Sequence, residues 1–158
     1  MKINIGIKEE HRKAVSAQLA KLLADEFILY TKTRNAHWNI EGQDFHAMHL
    51  FFEQQYIELD EIMDSVAERI RKIGHYAPAT LKQFLQLTQL TEQDDKTNDS
   101  SGYLKDVLED HESIIAFIRG NITPIANDFL DAGTSDYLTG LLETHEGMAW
   151  MLRSHFRS

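Results

Sequence analysis

From Asp44 to Lys72 no glycine or proline interrupts the chain, and Met48, Phe52, Leu59, Met63, Val66 and Ile70 recur at spacings of three, four and seven. A stretch of this kind folds as one long helix with a single buried face. The same helix carries a second stripe. Taking His49 as origin and advancing about 100° per residue, Glu53 lies near 40°, Asp64 near 60° and Glu68 near 100°. The apolar residues centre roughly 130° from that arc by the same count. A solvated charged face is the usual origin of such a stripe, but solvated faces mix signs to relieve repulsion between carboxylates four apart. Here Arg71, near 40° by the same count, is the one cation within the arc. Imidazole nitrogen with carboxylate oxygen is a donor set suited to a divalent transition metal such as iron.

The rest of the chain reads as helices around this one. From Lys8 to about Ala36, Val15, Leu19, Leu22, Leu23, Phe27 and Tyr30 recur at helical spacing, again without glycine or proline. Asn39, Gly42 and Asp44 supply turn and cap chemistry before the second helix, and Gly74 is a natural stop after it. His75 to Ser101 has a different character: Pro78, a short apolar piece (Leu81, Phe84, Leu85, Leu87) and the polar run TEQDDKTNDSSG. This predicts a long crossover carrying one short helix. A third long helix starts near Ser101 on Tyr103, Val107, Leu108, Ile114, Ile115 and Ile118, and continues with a bend past Gly120 and Pro124. Thr134 or Ser135 can cap the last helix, about Ser135 to His155. No strand-like alternation is present. The expected fold is all-α, one domain over residues 1–158, a ferritin-like four-helix bundle with a short extra helix in the crossover between helices two and three.

Helical rise then constrains the ionisable stripe. His49 with Glu53 and Asp64 with Glu68 are pairs spaced by four, each able to pinch one ion. His49 and Asp64 are 15 residues apart, about 22 Å along the axis, so one chain cannot bring both to one metal. Either the helix carries two poor half-sites, or a second copy of it, crossing antiparallel near Glu58, completes each one. His37, expected in the loop just before this helix, is a fifth candidate ligand. The intrachain di-iron pattern of ferritin-type bundles needs Glu-x-x-His, and no glutamate here has histidine three residues on.

The run HWNIEGQDFHAMHLFFEQQYIELDEIMDSVAER, with TSDYLTGLLETHEGMAWMLRSHF downstream, resembles the signature and last helix of the Dps family, the mini-ferritins (DNA-binding proteins from starved cells). The similarity covers essentially the whole chain. It implies a hollow shell of twelve identical subunits with ferroxidase centres at two-fold interfaces. His37, His49 and Glu53 would come from one subunit, Asp64 and Glu68 from its mate. Position 53 is Asp in some members, and Glu reaches about one methylene further. The implied chemistry is oxidation of Fe(II), with hydrogen peroxide preferred over oxygen, and storage of ferric mineral, which protects the cell against oxidative damage. The resemblance also makes Trp38 a candidate for absorbing oxidising equivalents, and Asp128, Asp131 and Asp136 candidates for lining a three-fold pore. His46, His75, His111, His145 and His155 have no paired ligand at suitable spacing and read as surface or packing residues.

Composition narrows the partners. The net charge of −9 is wrong for a general nucleic-acid binder, which needs clustered Lys and Arg. Lys2, Lys8, Arg12 and Lys13 are mixed with Glu9 and Glu10, and Arg153, His155 and Arg157 close the chain. Neither end is a polybasic arm, so DNA coating is the alternative reading and not the expected one. With no cysteine, thiolate metal sites are excluded. No apolar run is long enough to span a membrane, and the N-terminus lacks a signal-peptide core, so a cytoplasmic protein is expected.

Overall fold

A computed structural model describes residues 3–92 and 97–156. Residues 93–96 of the expected crossover, and Lys2 and Arg157 of the two ends, lie outside the described residues. Five helices carry the chain: α1 (Glu9–Asn39), α2 (Phe45–Lys72), α3 (Leu81–Leu87), α4 (Ser100–Asn127) and α5 (Ala132–Arg153). None of them is long and apolar enough to cross a membrane.

The four long helices bury one continuous core. Leu19, Leu22 and Leu29 of α1 meet Phe52, Leu59 and Ile70 of α2, with Ile114, Ile118 and Ile125 of α4 and Leu152 of α5. Each of these side chains is essentially fully buried. Removing one as large as Phe52 costs about 3–5 kcal/mol, because the cavity closes only in part.

Local contacts fix the chain direction. At one end the Glu41 amide donates to the Asn98 carbonyl at 2.8 Å, and Ser100 Oγ donates to Asp44 at 2.5 Å, so α2 and α4 start side by side. At the other end Arg69, near the finish of α2, reaches Asp131 and Thr134 beyond α4. The two helices therefore run the same way, as a long crossover requires. α2 and α5 touch little, which leaves a groove between them lined by Glu58, Glu61, Asp136 and Tyr137.

The crossover is pinned rather than draped. Thr80 and Gln83 form a reciprocal capping box that starts α3, and Phe84 stacks on Phe27 with ring centroids 4.5 Å apart. Buried Asp25 accepts from the Thr88 hydroxyl at 2.6 Å and the Gln89 amide at 2.8 Å. Gly74 stops α2 with φ of +97°, and a Cβ there would collide with Ile3 and Arg12.

Two boundaries differ from expectation. α1 runs three residues past Ala36 to Asn39, because nothing breaks it before Gly42. His37 therefore sits in the last turn of α1 and not in a loop. α5 starts at Ala132 and is capped by Asp131, whose side chain accepts from the Thr134 amide at 2.9 Å. Thr134 and Ser135 are inside the helix and fully or nearly buried.

Candidate metal centre

The turn between α1 and α2 brings His37 and His49 face to face. Their rings stack at 3.8 Å between centroids, 21° from parallel. Each ring is fixed by the other's backbone: His37 Nδ1 lies 2.8 Å from the His49 carbonyl, and His49 Nδ1 lies 2.8 Å from the His37 carbonyl. A carbonyl only accepts, so both Nδ1 atoms carry a proton, and in the neutral form of each ring Nε2 keeps a lone pair. A histidine held by a backbone carbonyl on one nitrogen is set to ligate through the other. The extension of α1 to Asn39 is what makes this reciprocal pairing possible.

Glu53 lies one turn along α2 from His49, and one of its oxygens, Oε1, is 3.2 Å from the Tyr56 hydroxyl. Tyr56 also meets His37 edge-on at 5.1 Å. Burial, followed by the Glu53 carboxylate, raises the Tyr56 pKa above its ordinary value, so the phenol keeps its proton at neutral pH and donates the hydrogen bond to Glu53. The Arg34 guanidinium lies 4.3 Å from the Tyr56 ring centroid and 4.8 Å from that of Trp38. Trp38 itself is 62% exposed.

Asp64 and Glu68 stand further along α2, exposed, and line an open groove of about 700 Å³ with Asp60, Glu61, Phe27, Pro78 and Phe84. Glu68 pairs with Lys72 at 2.9 Å. They do not meet His37, His49 or Glu53, and among the described residues no three His, Asp or Glu side chains converge to hold a metal. One chain thus presents the candidate ligands as two separate groups, as the helical rise requires.

At the α4–α5 corner, Asp128 and Asp136 are exposed. The expectation for Asp131 needs correction. It is 2% exposed, accepts from the Thr134 amide and hydroxyl, and pairs with Arg69 at 3.3 Å. A carboxylate committed to a helix cap and a cation is not free to line a channel.

Arg34 and Tyr56 do not stand out in the sequence, although Tyr56 lies three residues after Glu53, where helix side chains meet. A second group in the bundle interior is equally hidden there. His111 Nδ1 is 3.0 Å from His145 Nδ1, and His145 Nε2 is 2.9 Å from Glu26, all three side chains being fully buried.

Residues 16–158 match the ferritin-like domain family. The chain is 39% identical over 153 residues to a low temperature-induced protein of Nostoc sp., covering 97% of this chain and 86% of that one. It is 34% identical over 142 residues to DNA protection during starvation protein 2 of Bacillus anthracis, covering 90% and 96%. Among solved structures, a Dps protein from Vibrio cholerae superposes with a TM-score of 0.92 at 26% identity, over 99% of this chain and 98% of that one. DpsC from Streptomyces coelicolor gives 0.94 at 26% identity, over 100% and 92%. Sequence, helix layout and these likenesses agree: the chain belongs to the Dps family of mini-ferritins, within the ferritin-like proteins.

Proposed function

We propose that the protein is an iron-oxidising and iron-storing mini-ferritin, whose ferroxidase centres lie between subunits of a twelve-subunit shell. His37, His49 and Glu53 of one subunit and Asp64 and Glu68 of its two-fold mate bind Fe(II), the substrate. Hydrogen peroxide is the oxidant: each Fe(II) gives up one electron, and two electrons with two protons take peroxide to water. Carboxylates favour the ferric product, and a sparse ligand set leaves positions open to the oxidant. Ferric iron then passes into the cavity as mineral, which removes both reactants that would otherwise damage the cell. Trp38, beside His37, takes up stray oxidising equivalents, and exposed Asp128 and Asp136 attract Fe(II) towards the interior.

The single observation that carries this proposal is the reciprocal His37–His49 pairing, which leaves two ring nitrogens ready to ligate beside Glu53. Further support comes from the groove holding Asp64 and Glu68. Near it Ile57, Leu81 and Leu85 are 52%, 67% and 59% exposed, an apolar surface suited to a subunit contact. The Dps protein from Vibrio cholerae is itself described as one of the ferritin-like diiron-carboxylate proteins.

The test combines assembly mass with anaerobic Fe(II) titration and peroxide addition on one sample. A dodecamer is expected, binding Fe(II) stoichiometrically at its interfaces and oxidising it rapidly once peroxide is added. If His37→Ala combined with Asp64→Ala oxidises iron at the parent's rate, the site assignment is wrong.

A further inference from the structure

Tyr56 touches the half-site without supplying a ligand. Its ring is located from several directions: Arg34 on its face at 4.3 Å, His37 edge-on at 5.1 Å and Tyr30 edge-on at 6.2 Å. A phenol has few torsions, so fixing the ring fixes where the hydroxyl points. It points at Glu53 Oε1, 3.2 Å away and one turn back on the same helix. Glutamate, by contrast, has three side-chain torsions and is one of the residues that loses most freedom when ordered. An untethered glutamate at position 53 would have to be ordered at the moment the metal binds.

We infer that Tyr56 is a positioning residue for Glu53, holding Oε1 by a hydrogen bond so that Oε2 is presented to the metal beside His37 and His49. This rests on the ferroxidase reading above and adds to it how a ligand one methylene longer than aspartate is held in register. Because the same ring packs against His37, one side chain ties together ligands from α1 and α2. Hydrogen-bond partners of ligating carboxylates are worth about 10–100-fold in metal affinity when removed, and an effect of that size is expected here.

The experiment uses the assembled protein and Co(II), a redox-inert stand-in for Fe(II) whose visible spectrum reports ligand geometry. Tyr56→Phe removes one oxygen atom from a half-buried ring, and assembly mass checks that the shell is retained. Its Co(II) affinity is expected to fall roughly 10-fold or more, with a changed d–d spectrum. Peroxide-driven oxidation should slow at low Fe(II) and recover at saturating Fe(II), a change in KM and not in kcat. In a Glu53→Asp background, where the carboxylate is withdrawn from the hydroxyl, adding Tyr56→Phe should change Co(II) affinity less than about twofold, because a contact already lost cannot be lost again, and this non-additivity marks direct coupling. Parent-like affinity and spectrum in Tyr56→Phe would overturn the inference, provided that His37→Ala with Asp64→Ala abolishes Co(II) binding as expected. Should that control also bind Co(II) like the parent, the ferroxidase site and the role of Tyr56 fall together. An equal loss from Tyr56→Phe with and without Glu53→Asp would likewise overturn it, since Tyr56 would then act on something other than Glu53.

Discussion

His111 shows what a single residue contributes that the metal chemistry does not need. Its ring is fully enclosed between α1, α4 and α5, donating to or accepting from His145, which in turn pairs with Glu26. Burial first, and the charge on His145 second, push the pKa of His111 well below its ordinary value of 6.5. The folded protein therefore refuses a proton that the unfolded chain accepts below that value. With more protons bound in the unfolded state, stability rises with pH, so this contribution is complete above 6.5 and is lost as pH falls through the acid range. Urea midpoints should accordingly drop between about pH 7 and pH 5. His111→Gln, which keeps a polar group but cannot titrate, should be less stable near neutrality yet show a shallower drop. An unchanged slope would locate the acid sensitivity elsewhere. All three residues sit at core positions in the sequence: Glu26 between Leu22 and Leu29, His111 between Val107 and Ile114, His145 between Leu141 and Met148. The cluster is nevertheless not legible there, because each partner lies on a different helix and no spacing along the chain records the pairing.

At the level of elements, the helices and the crossover are legible because apolar periodicity is continuous and glycine and proline are few. Their ends are not. The sequence puts His37 in a loop, yet α1 continues to Asn39 and thereby aligns it with His49. The α4–α5 junction shows the same limit from the other direction. Asp131 reads as one of three acids at a corner, and only tertiary structure reveals Arg69, 62 residues away in sequence, as its partner. Asp131→Ala removes the cap of α5 and leaves Arg69 without its carboxylate. A loss of about 2 kcal/mol or more is expected, read as a lower thermal midpoint. Asp131→Asn, which can still accept the Thr134 amide, should retain more of the stability. Iron uptake should change little in either folded variant, whereas a pore residue would show the reverse pattern.

For the whole molecule, charge and symmetry decide the remaining questions. Relatives carry a name that refers to DNA protection, but this chain has a net charge of −9. Phosphate-driven binding depends on released counterions and is strongest at low salt. No gel shift is expected near neutral pH even at low ionic strength; a shift that disappears as salt rises would show a cationic surface unaccounted for here. On the proposed reading the catalyst exists only between subunits, since one helix cannot bring His49 and Asp64 together. The most direct test is complementation between two inactive chains. One carries His37→Ala with His49→Ala, the other Asp64→Ala with Glu68→Ala, and each assembled alone should be inactive. Co-assembled in equal amounts, they should rebuild intact centres at about a quarter of all sites, because random pairing gives a two-fold interface one good site whenever the chains differ. Recovery of roughly that share of peroxide-driven Fe(II) oxidation is the expected result. A co-assembled shell that stays inactive, or either variant alone oxidising iron like the parent, would contradict it.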